Sequence, residues 1–109
     1  MFEITLKQGG IDKVFKKDYI NVEDNLLAVE HQVRQSALYS NDKAVLDPKK
    51  HRVLNEAYLQ MFVDMYGKQF SVDDLKQADM SVLEVLNDLY LEALGGKKDK
   101  SEGDEPKEA

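Results

Sequence analysis

The chain has 109 residues, no cysteine and a formal net charge of −6 at pH 7. A chain of this length forms one domain that folds without disulfides or metals, and the lack of cysteine excludes thiol chemistry. A negative field repels phosphate and argues against nucleic-acid binding. No apolar run approaches the roughly 18 residues of a membrane span, and the N-terminus lacks a signal-peptide pattern. We therefore expect no nucleic acid and no membrane among its partners, and a protein that stays where it is made.

The N-terminal segment has the pattern of a β-hairpin. FEITLK at residues 2–7 alternates apolar and polar side chains, which is the period of a half-buried strand. Gly9 and Gly10 suit a tight turn, and a second run follows at 11–20, so we predict a hairpin over about residues 2–20. Two strands alone are marginal in water. The hairpin must therefore pack its apolar face on helices or extend a sheet in a second subunit, and its open edge could accept an added strand.

An amphipathic helix is predicted next, over about residues 22–39. Asn21 is a good N-cap, and Glu23 and Asp24 lie in the first turn, where the helix dipole favours carboxylates. We expect the apolar face of this helix to pack on the central helix. The residues of that face are Val22, Leu26, Val29, Val33 and Ala37.

The central core helix is predicted at about residues 48–66. It contains VLNEAYLQMFVDMY at 53–66, the longest strongly apolar stretch of the chain. Pro48 is tolerated in a first turn, and Gly67 can end the helix in the left-handed conformation.

Two interpretations of this helix remain open. Met61, Phe62 and Met65 are typical of a core, but methionine and aromatic residues also form adaptable binding surfaces. The tyrosines allow the same two interpretations: they are core residues with a hydrogen-bonded hydroxyl, or they anchor an interface. These tyrosines are Tyr58, Tyr66 and Tyr90.

The C-terminal part predicts two further helices and a tail. Capping patterns at 71–74 and 81–84 begin a short helix at about 72–78 and a longer one at about 82–94. Residues 97–109 contain no large apolar side chain and should be disordered. The sequence therefore predicts one globular domain over residues 1–96 with an α+β, mainly α fold, in which an N-terminal β-hairpin packs on about four helices.

No arrangement of residues has the pattern of a catalytic or metal site. His31 and His51 lie on different predicted helices without the partners that a zinc site needs. The acidic pairs at 23–24 and 73–74 lie in first helical turns, where dipole stabilisation explains them. Residues 71–94 superficially resemble a helix-turn-helix, but the second helix carries carboxylates and no lysine or arginine. We predict no enzyme, no cofactor and no metal, and a role in protein binding.

Four stretches form a pattern over nearly the whole predicted domain. They are FEITLK at 2–7, the YI and amphipathic helix at 19–38, MFVDMYGKQFSVDDL at 61–75 and VLNDLYLEALGGK at 85–97. This pattern resembles the tail assembly chaperones of long-tailed phages and prophages of Gram-positive bacteria. The resemblance implies a nonenzymatic protein of the bacterial host cytoplasm that binds the tape measure protein and keeps it soluble. It also implies that the protein promotes tail tube polymerisation around its client and is absent from the mature virion.

The resemblance also implies how the protein meets its partners, the tape measure protein and the tail tube protein. Many copies would cover the client through weak contacts, so self-association is expected. The contact residues we expect are exposed apolar members of the helix faces, namely Tyr58, Met65, Tyr66 and Phe70.

Members of the family are often made in two lengths by a programmed ribosomal frameshift. Gly96-Lys97-Lys98 is compatible with slippery codons, which is a hypothesis about the gene. Two alternatives to a chaperone remain, a generic phage protein-interaction or regulatory module and a minor structural protein of the virion. Gene neighbourhood would separate the first from a chaperone, and mass spectrometry of mature particles would separate the second.

Overall fold

A computed structural model describes residues 2–96 and begins with an antiparallel β-hairpin of β1 (Phe2–Gln8) and β2 (Ile11–Lys17). The two-residue turn is formed by Gly9 and Gly10, both with positive φ, the conformation that the tight hairpin turn requires. The predicted disordered tail, residues 97–109, lies outside the described residues.

Alternation along β1 gives the hairpin one apolar face. Phe2, Ile4 and Leu6 are buried, and Phe15 lies opposite Ile4 on β2. This face contributes to the same apolar core as the helices, so the hairpin packs on helices as predicted. Extension of a sheet in a second subunit stays a prediction.

Within residues 2–96 four α-helices follow the hairpin, and the predicted α+β, mainly α fold is confirmed. The first two lie close to their predicted bounds, whereas the third ends two residues early because its chain turns at Gln77. A short 3-10 helix, Ala44–Leu46, precedes the second α-helix. The helices are α1 (Val22–Tyr39), α2 (Pro48–Met65), α3 (Val72–Lys76) and α4 (Ser81–Ala93).

Side-chain caps fix three of the helix starts. The Asn21 side chain accepts from the Asp24 N–H at 2.8 Å, and Asp24 Oδ2 accepts from the Asn21 N–H at 3.0 Å. The predicted capping box at 71–74 is also present, and Asp47 caps α2. The cap predicted for α4 is wrong: Ser81 is the first helical residue, and its N–H donates to the side chain of Asp79 at 2.9 Å.

The core is centred on α2 and α4. Phe62, Leu86 and Leu89 are fully buried, and Met61 and Met65 join the same cluster. Of the two interpretations of the methionine and phenylalanine residues on α2, the core interpretation is therefore confirmed.

The face that α1 turns to the core is not the predicted one. Its buried residues are Asp24, Ala28, His31 and Leu38, whereas the expected apolar face lies in solvent. The buried polar residues of α1 are accommodated by an ion pair and by ring contacts inside the fold. Lys17 pairs with Asp24, and the His31 ring packs against aromatic rings of α2 and α4.

Candidate protein-binding surface

The predicted contact residues are largely core residues. Met65, Tyr66 and Phe70 are buried, so the expectation that they are exposed is wrong for all three. The hairpin contacts two of them: the Phe15 and Phe70 ring centroids are 5.0 Å apart, and the Tyr66 hydroxyl donates to the carbonyl oxygen of Phe2 at 3.0 Å. Binding of a partner through these residues stays a prediction, and for Tyr66 and Phe70 it would require the hairpin to move.

The Tyr66 hydroxyl has a structural role. Burial, with a smaller effect from the nearby Asp24 charge, raises the pKa of Tyr66 to about 12. The hydroxyl therefore stays protonated at neutral pH and keeps donating to the hairpin backbone.

Tyr58 is half-buried and joins α2 to α4. Its hydroxyl donates to Oδ1 of Asn87 at 2.5 Å, and its ring centroid is 5.2 Å from that of Tyr90 and 4.8 Å from that of Phe62. Burial raises the pKa of Tyr58, and the neighbouring Tyr90 adds to the shift. The residue is engaged within the fold and presents only part of its ring to solvent.

A cleft of about 220 Å³ lies beside this tyrosine, between α1, α2 and α4. His31 lines it with a ring centroid 4.9 Å from that of Tyr58, and neither His31 Nδ1 nor the Tyr90 hydroxyl has a hydrogen-bond partner within residues 2–96. Burial, reinforced by the Arg34 charge, lowers the pKa of His31. A neutral imidazole between tyrosine rings suits packing. Within residues 2–96 no three histidine, aspartate or glutamate side chains are grouped so that they could hold a metal ion.

A regular row of exposed apolar side chains lies on α1. Val22, Leu26, Val29 and Val33 are 76%, 51%, 41% and 63% exposed. Their spacing of four, three and four residues places them on one side of the helix, in the pattern of a coiled-coil seam. We call these four residues the α1 stripe.

The α1 stripe has unlike edges. Glu23 and Glu30 lie along one edge and are exposed. Asn25 and Gln32 lie along the other, where the Asn25 side-chain amide donates to the carbonyl oxygen of Ala93 at 2.7 Å and holds α1 against the end of α4. The stripe is therefore an apolar strip with one acidic border, carried on a helix that is tied to the fold.

The sequence predicts this row as a face packed on the core, and the structure shows that it is exposed. The α1 stripe has the spacing that usually marks a buried helical face. The structure instead buries Ala28 and His31, which lie on the side of α1 opposite the stripe.

A second surface feature is a groove of about 430 Å³ along β1. Glu3, Thr5 and Lys7 form one side, and Val82 and Val85 of α4 lie across from them. Within residues 2–96 β1 pairs only with β2, so its other edge has no strand partner. The open edge expected from the sequence is present, and strand addition there stays a prediction.

The chain matches a known protein family over its whole length. A family model described as “Phage tail chaperone protein” matches residues 1–109. No curated protein and no solved structure matches the chain. None of the helices within residues 2–96 combines the length and apolar character that crossing a bilayer requires.

Proposed function

The chain belongs to the phage tail chaperone protein family, and we propose that its client is the tape measure protein, which it keeps soluble while tail tube subunits polymerise around it. The family resemblance seen in the sequence is confirmed, and membership makes the protein a tail assembly chaperone that interacts with tail proteins. The identity of the client and the role in polymerisation are the proposed parts.

The observation that carries the proposal is the α1 stripe. A chaperone for a long helical client has to cover apolar side chains reversibly, and it needs apolar surface that its own fold leaves free. The α1 stripe meets this requirement because its side chains are exposed, while the buried residues of α1 lie on the opposite side of the helix. An exposed stripe on a tail chaperone therefore supports client binding through direct contact, and we propose that this needs no catalysed reaction and no cofactor.

Several copies would act on one client. Each copy contributes a small contact, and avidity along the client compensates for weak single contacts. Weak contacts also allow tube subunits to displace the chaperone, which then leaves before the virion is complete. The net charge of −6 keeps coated complexes apart by mutual repulsion. We propose that this takes place in the host cytoplasm, that copies self-associate, and that a longer frameshifted product accompanies the short one.

Co-expression with the tape measure protein encoded in the same genome tests the proposal. We expect the chaperone to increase the soluble fraction of the tape measure protein and to elute with it in size-exclusion chromatography. An unrelated aggregation-prone helical protein serves as the control client and should gain nothing. A tape measure protein that stays insoluble and uncomplexed would count against the proposal.

Mass spectrometry of mature particles tests the alternative of a minor structural protein of the virion. A chaperone that leaves the assembly is absent from purified virions, whereas a minor structural protein is present in a fixed ratio to the tube subunit. Detection at such a ratio would replace the chaperone cycle with a structural role.

A further inference from the structure

We propose that the α1 stripe is the docking surface for an amphipathic α-helix of a tail protein, and that this helix carries lysine or arginine along the edge facing Glu23 and Glu30. The inference rests on the proposed function because it assigns the surface through which the client is held. It goes further by specifying the shape and charge of what binds there.

The spacing of the α1 stripe selects a helix as its occupant. Val22 and Val33 are eleven residues apart on a helix, which places them roughly 16 Å apart along its axis. Offsets of four, three and four residues match the seam along which two helices pack side by side. A helical partner with the same seam spacing can contact all four side chains along one line.

The fold presents this surface without having to open. The buried side of α1 carries Asp24, Ala28 and His31, which lie away from the α1 stripe. The capping box at Asn21 fixes one end of α1, and the Asn25 amide holds the same end against α4. The α1 stripe is therefore a preformed surface, and binding there requires no rearrangement of the core.

Charge decides between a foreign helix and a second copy. Glu23 and Glu30 border the α1 stripe, and Arg34, the only lysine or arginine of α1, is exposed outside that border. A second copy would bring a net charge of −6 and two more glutamates to the same seam. A helix with basic residues on the facing edge would instead form charge pairs across the seam, which favours a foreign partner.

The test uses a designed peptide and does not depend on the tape measure protein. The probe is a labelled peptide of about 28 residues with leucine and valine at seam positions and lysine on both edges, and mutual repulsion between lysines keeps it monomeric. A second peptide has the same seam with glutamate on both edges. Binding of each to the full chain is measured by fluorescence anisotropy.

Neutral substitutions separate the seam from general charge attraction. Leu26→Ser/Val33→Ser removes two side chains of the α1 stripe and leaves the charge unchanged. Val14→Ser/Val53→Ser is the matched control, because both valines are exposed at positions outside the stripe. We expect the lysine peptide to bind at least about tenfold more weakly to the stripe variant and within about twofold to the control.

Charge reversal tests the acidic border. In Glu23→Lys/Glu30→Lys the preference should invert, so that the glutamate peptide binds more tightly than the lysine peptide. The proposal would be overturned if the unchanged chain did not bind the lysine peptide, or bound both peptides with equal affinity. It would also be overturned if the stripe and control variants lost equal affinity for the lysine peptide. Concentration-dependent self-association abolished by Leu26→Ser/Val33→Ser would also overturn it, by assigning the surface to a second copy.

The proposed client and the proposed docking surface can fail separately. Peptide binding at the α1 stripe without capture of the tape measure protein would refute that client and leave the docking surface in place. Capture that Leu26→Ser/Val33→Ser leaves unchanged would keep the chaperone function and refute the docking surface.

Discussion

Lys17 Nζ lies 2.7 Å from Asp24 Oδ2, and both side chains are nearly withdrawn from solvent, with 10% and 2% of their surface exposed. The pair joins the end of the hairpin to the first turn of α1. Asp24 Oδ2 also accepts from the backbone N–H of Asn21, so one carboxylate serves a helix cap and an ion pair. This double role explains why a charged residue occupies the buried face of α1.

Neutralising the buried carboxylate should be costly. In Asp24→Asn the Lys17 ammonium loses its countercharge while it remains largely buried, and breaking such a pair typically costs about 3–5 kcal/mol. We expect the free energy of unfolding in urea to fall by about 3 kcal/mol, because the asparagine retains an acceptor for the cap.

The exposed pair on the hairpin provides the matched control. Lys7 Nζ lies 3.3 Å from Asp12 Oδ1, and both side chains are mostly in solvent. Asp12→Asn should cost less than about 1 kcal/mol. Equal losses in the two variants would show that burial of the Lys17–Asp24 pair has no energetic consequence.

The same pair shows where sequence reasoning was insufficient. Local signals predicted the starts of α1 and α3, because a cap depends on residues three positions apart, as in Asn21 and Asp24. The face that α1 buries depends on partners distant in sequence, namely Lys17 of the hairpin and the ring of Tyr90 on α4. Periodicity marks an apolar row but does not reveal whether the fold or a partner covers it.

Prediction of the candidate site was also limited by contacts between residues that are distant in sequence. Met65 and Tyr66 lie at the end of a correctly predicted core helix, but the hairpin that the Tyr66 hydroxyl contacts comes from the other end of the chain. The α1 stripe was visible as spacing in the sequence, and only the tertiary structure shows it to be exposed. Family membership was accessible from sequence because it depends on the pattern of the whole chain.

Acidification should destabilise the protein through His31. Burial and the Arg34 charge lower the pKa of His31 below its usual value of 6.5, so the unfolded chain takes up a proton more readily than the folded one. This difference contributes stability that is fully present above pH 6.5. That stability is lost as the pH falls from 6.5 toward the lowered pKa of His31. Urea unfolding measured from about pH 7.5 down to about pH 5.5 should show this loss.

Matched glutamine substitutions assign the effect to one histidine. His31→Gln should flatten the pH dependence in this range, even if it also lowers stability at every pH. His51→Gln, on α2, should keep the loss that His31 causes. A pH dependence that is the same in His31→Gln and the unchanged chain would contradict the assignment.

The Tyr66 hydroxyl should anchor the hairpin. Tyr66→Phe removes the 3.0 Å hydrogen bond to the carbonyl oxygen of Phe2 and leaves the ring in the core. We expect a loss of about 1–1.5 kcal/mol in the free energy of unfolding, and faster amide hydrogen exchange in the hairpin. Tyr19→Phe, at an exposed position, should stay within about 0.5 kcal/mol; equal effects would remove the anchoring role.

A final prediction separates the core cluster from the α1 stripe as the place where the client binds. Phe70→Leu trims a buried ring that contacts Phe15 and Tyr66 but keeps an apolar side chain in the core. It should lower the free energy of unfolding by about 1 kcal/mol and leave the chain folded. Leu26→Ser, at an exposed position, should change stability by no more than about 0.5 kcal/mol.

Capture of the tape measure protein should respond in the opposite order. Leu26→Ser should reduce the amount of client that elutes with the folded chaperone, because the contact itself is lost. Phe70→Leu should capture as much client as the unchanged chain, since its ring lies beneath the hairpin. Reduced capture by folded Phe70→Leu, with normal capture by Leu26→Ser, would mean that the hairpin moves to expose the core residues to the client.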